Sequence, residues 1–188
     1  MKTLSRVIFV GLAFILLNAP VRAEQIVPLE VSVQASEANP RAVVFNGLFD
    51  LNPSQEILEV LRRGISLTFV LEVKITKKRW YWVDRTLCKK SEYIRLSYSP
   101  LSRQYRINLG GISQNFSDIE QAIDLMSRFR NWKVCDYREI NPENHEVEAR
   151  LYLNTSRLPR PFQVSLKKDS DWDMDSGWID VKIISNGA

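Results

Sequence analysis

Four aspartates near the C-terminal end of the chain are spaced as calcium ligands would be. Asp169, Asp171 and Asp173 alternate along the segment, and Asp180 follows. These residues occupy positions 1, 3, 5 and 12 of a calcium-binding hand loop, and calcium prefers such hard carboxylate oxygens. Position 6, where the loop needs glycine, is Met174. The segment is therefore a candidate calcium site with one departure from the pattern.

The same segment has a second interpretation, in which it binds no ion. The acids would face water in a turn or strand, while Trp172 and Met174 face inward. A calcium-binding hand also needs a helix before its loop, and Pro159 and Pro161 disfavour a helix there. Both interpretations stay open. Calcium is the one cofactor for which the sequence provides candidate ligands.

Enzymatic motifs are absent from the sequence. His145 is the single histidine, and its polar surroundings predict an exposed turn. One histidine argues against a multi-histidine metal site and leaves a Ser-His-Asp triad dependent on that residue. The sequence has no P-loop, G-x-G-x-x-G, H-E-x-x-H or G-x-S-x-G motif. Because carboxylate pairs leave no local signature, an unrecognised hydrolase stays a hypothesis behind a non-enzymatic function.

Aromatic residues form the candidate surface for a ligand or a partner. Aromatic side chains provide platforms for sugars and peptides, although tryptophans on strands are also common in cores. The candidates are Trp80, Tyr81, Trp82, Trp172 and Trp178. If the first three continue a strand, Trp80 and Trp82 share one face and Tyr81 takes the other. The neighbouring cations form a basic rim: Lys77, Lys78, Arg79, Lys89 and Lys90. Such a rim would protect a strand edge, contact anionic lipid headgroups or bind an acidic partner.

The first 23 residues have the pattern of a secretory signal peptide. Lys2 and Arg6 form the charged region, residues 7–17 are apolar apart from one glycine, and residues 21–23 fit a cleavage site. The apolar run is shorter than the roughly 20 residues of a membrane-spanning helix. We therefore expect a periplasmic mature chain, residues 24–188, with no transmembrane segment. An uncleaved N-terminal anchor is the alternative.

Removal of the signal peptide changes the charge balance. The full chain has a net charge of +4, but the mature chain has 23 basic and 22 acidic residues, a net charge of +1. This balance does not favour nucleic acid as a partner. The mature length suits a single domain. Export also permits a disulfide between Cys88 and Cys135, with two buried thiols as the alternative.

The strongest structural pattern is the strand predicted within residues 65–82. Leu67, Phe69, Leu71, Val73 and Ile75 alternate with mostly polar residues. The chain is then predicted to turn and return along residues 80–87, with a further turn at residues 89–91. Other short alternating segments follow, which is typical of an antiparallel meander. The closing strand is predicted over residues 178–184.

Two helices are predicted between the strands. The first begins at Asn52, an N-cap followed by Pro53, and ends at Gly64. The second begins at Ser117 in a capping box with Glu120, and its apolar stripe reaches Phe129. Together the patterns predict a mainly β (α+β) domain, an antiparallel two-layer β-sandwich with two packed helices.

The C-terminal segment carries a resemblance to a known family. Residues 158–163, followed by Trp172, Ser176 and Trp178, resemble the signature of domain-of-unknown-function family 4390, a family of exported proteobacterial proteins. The order of the upstream motifs is also similar. The resemblance implies an envelope protein and no activity. Members are often encoded near a nitrogen-regulation-type sensor kinase and a ribosomal RNA methyltransferase, which implies a sensor kinase as a candidate partner.

These observations favour a non-catalytic envelope interaction module. It would bind a protein partner or another envelope component through an exposed strand edge or the aromatic hairpin. A periplasmic protein that binds a small ligand or calcium is the alternative, and the hydrolase is the third hypothesis.

Overall fold

The computed structural model describes residues 26–81, 83–137, 140–165 and 172–184. The predicted signal peptide lies outside these residues. In chain order the elements are β1 (Ile26–Ala35), β2 (Ala42–Leu51), α1 (Gln55–Arg62), β3 (Leu67–Lys77), β4 (Arg85–Ser99), β5 (Gln104–Leu109), β6 (Ile112–Phe116), α2 (Ile119–Met126), β7 (Arg128–Asp136), β8 (His145–Leu153), α3 (Arg160–Ser165), β9 (Ile179–Asp180) and β10 (Lys182–Ile184).

The described strands form two sheets. One has four strands in the order β10-β1-β2-β7, and the other has six in the order β6-β5-β4-β3-β8-β9. Neighbouring strands are antiparallel, except that β10 runs parallel to β1. The prediction of a mainly β fold with two sheets and packed helices is confirmed.

Strand β3 lies at the centre of the six-stranded sheet, between β4 and β8. Its five alternating apolar residues are all at most 2% exposed, because they face the interior between the sheets: Leu67, Phe69, Leu71, Val73 and Ile75. The strand ends at Lys77, however, and its partner begins only at Arg85. The prediction that the returning strand begins at Trp80 is therefore wrong.

The predicted turn at residues 89–91 is also wrong, because β4 runs through it without a break. Polar residues there contact Glu72 of the neighbouring strand. The hydroxyl of Ser91 donates to Oε1 of Glu72 at 3.3 Å, and the ammonium of Lys89 lies 3.7 Å from Oε2. Cross-strand pairs of this kind stabilise a sheet, so the polar run continues the strand.

Each eight-residue helix carries the chain from one sheet to the other. Helix α1 connects β2 to β3 and buries Ile57, Val60 and Leu61, whereas α2 connects β6 to β7. The predicted N-caps are each displaced. The hydroxyl of Ser54, not Asn52, accepts from the amide of Ile57 at 3.3 Å, and Asp118, not Ser117, caps α2.

Helix α2 ends before Phe129, which the sequence placed on its apolar stripe. Phe129 belongs instead to β7 and packs against Phe45 and Phe49 of β2, with ring centroids 6.3 Å and 6.0 Å apart. Its spacing of three from Met126 fits a helical period, but pairing with β2 places it in a strand.

The C-terminal elements differ from the prediction in two ways. Residues 160–165 form the short helix α3, because Pro161 lies in its first turn, where a missing N–H costs little. The predicted closing strand is divided between the sheets. Strand β9 pairs with β8, β10 pairs with β1, and the buried Val181 lies between them.

A disulfide between Cys88 of β4 and Cys135 of β7 joins the two sheets, with the Cα atoms 6.3 Å apart. Beside it, the indole N–H of Trp132 donates to the carboxylate of Glu92 at 3.0 Å. Of the two alternatives for these cysteines, the structure shows the bridge. It is consistent with an oxidising extracytoplasmic compartment.

Candidate interaction surface

The loop between β3 and β4 carries the two most exposed aromatic side chains of the described residues. Trp80 is 94% exposed, Tyr81 is 67% exposed and Val83 is 80% exposed. We call these three residues the aromatic tip. The rings of Trp80 and Tyr81 meet edge to face with centroids 5.0 Å apart, a preferred aromatic geometry. Trp82, which the sequence placed beside Trp80, lies outside the described residues.

Backbone hydrogen bonds brace the base of this loop. The amide of Arg79 donates to the carboxylate of Asp84 at 2.9 Å. The amide of Lys78 donates to the carbonyl of Asn144, also at 2.9 Å, which ties the hairpin to the loop between β7 and β8. The tip therefore projects from a fixed base, and its side chains face solvent.

The segment that carries the tip is rich in basic residues. Between residues 77 and 85 the sequence has four cations, Lys77, Lys78, Arg79 and Arg85, and one acid, Asp84. The acid Asp84 accepts from the amide of Arg79, and Lys78 pairs with Glu146 of β8 at 4.0 Å. The surface at this end of the six-stranded sheet thus combines aromatic and cationic groups.

The other two cations of the predicted basic rim have contacts elsewhere. Lys89 lies beside Glu72 on β3. The ammonium of Lys90 donates to the carbonyl of Lys133 and lies 4.7 Å from the centroid of the Trp132 ring. These lysines therefore stabilise contacts between strands, and the rim near the tip consists of the cations at residues 77–85.

The two C-terminal tryptophans make contacts with other parts of the domain. Trp172 is 3% exposed and belongs to the core, together with Met174. Trp178 is 38% exposed, and the ammonium of Lys74 lies 4.5 Å from the centroid of its ring. The five aromatic candidates thus do not form one surface.

The candidate calcium ligands are only partly described. Asp169 and Asp171 lie outside the described residues, Asp173 is exposed, and Asp180 lies on β9 opposite Glu148. The described part of the chain contains no cluster of three or more His, Cys, Asp or Glu residues suited to a metal. Calcium binding by the four aspartates stays a prediction.

A different aspartate of the same segment forms an ion pair. Asp175 accepts from Nε of Arg150 at 2.9 Å and also pairs with Nη2. The hydrogen bond from Arg150, with the charge of Asp175, raises the pKa of the guanidinium. This pair holds the C-terminal segment against β8, where Asp175 bridges to Tyr152.

His145 is buried, so the prediction of a surface histidine is wrong. It is 7% exposed, its Nδ1 lies 3.1 Å from the amide nitrogen of Asn141, and its ring packs against Tyr137 with centroids 5.6 Å apart. The sequence carried a signal for this burial. The apolar alternation of β8, Val147, Ala149, Leu151 and Leu153, reaches His145 when it is extended one step back.

Sequence reasoning missed an open pocket of ≈ 320 Å³ on the four-stranded sheet. It lies where β2 and β7 change register beside Gly47. Its polar lining mixes charges of both signs and amides: Glu30, Ser32, Asn46, Arg128, Arg130 and Asn131. Arg128 already pairs with Asp124, so the pocket does not present a single dominant charge.

The family model for a domain of unknown function, DUF4390, matches residues 29–182. The chain belongs to the DUF4390 family. The match confirms the resemblance, and it spans the aromatic tip, the disulfide and the Arg150–Asp175 pair. Searches of curated proteins and of solved structures find no match to this DUF4390 chain. In the described residues, no helix has the length and apolar character needed to cross a membrane.

Proposed function

We propose that the DUF4390 domain is a non-catalytic periplasmic interaction module that binds another envelope component through the aromatic tip. The exposure of Trp80 and Tyr81 carries this proposal. Large aromatic side chains left in water at the end of a loop gain more from a contact than most surface residues do. The bracing of the loop by Asn144 and Asp84 lowers the conformational entropy that such a contact would cost.

Two observations support the compartment in this proposal. The N-terminal pattern of the sequence is that of a signal peptide, and the Cys88–Cys135 disulfide is of the kind that persists after export. A sensor kinase in the envelope stays a candidate partner from the family resemblance.

The edge of the six-stranded sheet offers a second route to a partner. Strand β6 lies at this edge, carries no charged residue, and exposes Ile112 to 76%. An extended peptide could add a strand there through backbone hydrogen bonds. The tip is the stronger candidate because its exposed aromatic area is larger.

The test measures association of the purified mature protein with envelope fractions by co-sedimentation. We expect the wild-type protein to sediment with the envelope and the variant Trp80→Ala/Tyr81→Ala to stay in solution. The matched control is Leu101→Ala, because Leu101 is 100% exposed but lies at the opposite end of β4. Circular dichroism would verify that all three proteins are folded.

Two results would contradict the proposal. Either the wild-type protein does not associate with the envelope, or the tip variant associates as strongly as the Leu101 variant does. For the alternative, a rise in melting temperature on adding calcium would support a site at Asp169, Asp171, Asp173 and Asp180.

A further inference from the structure

We propose that the surface bound by the aromatic tip is the anionic headgroup layer of a lipid bilayer. The inference rests on the proposed function, since it names the envelope component that the tip contacts. Its support comes from the ring chemistry of the tip, from the charges around it and from its convex shape.

The ring chemistry suits the boundary between lipid and water. Trp and Tyr concentrate at membrane interfaces, because each has an apolar ring with a polar group that stays hydrated. Trp80 and Tyr81 lie together at the end of a hairpin, and Val83 adds an apolar side chain beside them. A single projection of this kind can enter a soft interface, whereas a folded protein partner would need a matching groove.

The charges select anionic lipid over neutral lipid. The segment that carries the tip has four cations, although the mature chain as a whole has a net charge of only +1. One of them, Lys78, lies 4.0 Å from the carboxylate of Glu146, so the charge around the tip is carried mainly by Lys77, Arg79 and Arg85. Long basic side chains can reach the headgroup phosphates while the rings enter more deeply. Each such cation near an anionic surface strengthens binding about fivefold.

The hairpin also sets the orientation of the domain. Strand β4 extends from the tip through 15 residues to the turn that carries Leu101, a distance of about 45 Å. The tip and that turn therefore lie at opposite ends of the sheet. Contact through the tip would leave the other end of the domain directed away from the bilayer.

The test uses protein-free vesicles and the purified mature protein. One set contains phosphatidylglycerol and phosphatidylcholine in equal parts, and the other contains phosphatidylcholine alone. We expect co-sedimentation with the anionic set, at least about tenfold weaker binding to the neutral set, and weakening by salt. Trp80→Ala/Tyr81→Ala should reduce binding at least about tenfold and Lys77→Gln/Arg79→Gln about 25-fold, whereas Leu101→Ala should have no effect.

The outcomes separate this inference from the proposed function. Tip-dependent association with native envelopes but not with protein-free vesicles would identify a protein partner, which overturns the lipid inference and leaves the proposed function intact. Equal binding of the aromatic variant and the Leu101 variant to anionic vesicles would also overturn the inference. Failure of the wild-type protein to bind either native envelopes or vesicles would overturn both.

Discussion

Gly47 lies within β2, where any larger residue would meet the rings of its neighbours. A Cβ atom at this position would be 2.5 Å from Cε1 of Phe45 and 3.1 Å from a ring carbon of Phe49. Both rings are at most 2% exposed and cannot move into solvent. The pairing of β2 with β7 shifts register beside this glycine, and the missing side chain makes room for Phe45.

We predict that Gly47→Ala lowers the free energy of unfolding by about 1–3 kcal/mol, because it overpacks the core. Urea denaturation would measure the change. The double variant Gly47→Ala/Phe45→Leu provides the control, since a smaller residue at position 45 relieves the clash. Its loss should be smaller than the sum for the two single variants, and strict additivity would contradict the explanation.

Ionisation of Tyr152 lowers the stability of the domain at alkaline pH. Removal of its hydroxyl from water, followed by the charge of Glu72, raises the pKa of Tyr152 above its ordinary value. The native state therefore holds the phenolic proton more tightly than the unfolded chain does. The associated stability is fully present below the unfolded pKa of about 10 and is lost as pH rises through the higher native pKa.

The variant Tyr152→Phe should show a smaller loss of stability over this alkaline range. Urea denaturation between about pH 8 and pH 11 would compare the slopes of the two proteins. Parallel slopes would show that Tyr152 does not contribute to the pH dependence.

At the N-terminus of α2, the capping residue predicted from the sequence differs from the one in the structure. The sequence favours Ser117 as the N-cap, but Oδ1 of Asp118 accepts from the amide of Glu120 at 3.2 Å. We predict that Asp118→Ala lowers the free energy of unfolding by about 1 kcal/mol and that Ser117→Ala changes it little. Chemical denaturation of the two variants is the test, and the reverse order would support the capping box.

The elements that sequence reasoning predicted well are those with one dominant pattern. The five apolar residues of β3 have a strand period and no competing helical period, so their burial followed directly. Phe129 lies three residues after Met126 and so continues the helical period, and only contact with β2 places it in a strand. The polar run of Lys89, Lys90 and Ser91 predicted a turn, because a local pattern does not reveal contacts with distant residues. Lys89 and Ser91 contact Glu72, which is distant in sequence.

The candidate site was predictable in composition but not in geometry. The aromatic and basic residues near position 80 were evident from the sequence, and the exposure of Trp80 and Tyr81 supports their proposed role. Their placement in a loop, and the burial of Trp172 in the core, depend on where strands end and on long-range packing. The pattern of side chains in the sequence does not determine where a strand ends or which distant residues pack together.

At the scale of the whole molecule, the disulfide links the two sheets across 47 positions of sequence. We predict that Cys88→Ala/Cys135→Ala lowers the free energy of unfolding by about 3–4 kcal/mol, chiefly because the unfolded chain gains freedom. Thermal unfolding with and without reductant would measure this. The wild-type protein should lose stability in reductant, whereas the double variant should not respond, and a response of the variant would contradict the explanation.

The pairing of β10 with β1 also determines when the fold can be completed. Strands β1 and β2 can pair as a local hairpin, but the outer edge of β1 receives its partner only from residues 182–184. A chain that emerges with its N-terminus first therefore keeps this edge open until residues 182–184 are available. Contacts between such distant segments slow folding and extend the period in which an open strand can pair wrongly. The topology therefore makes the edge of β1 the site most exposed to wrong pairing during folding.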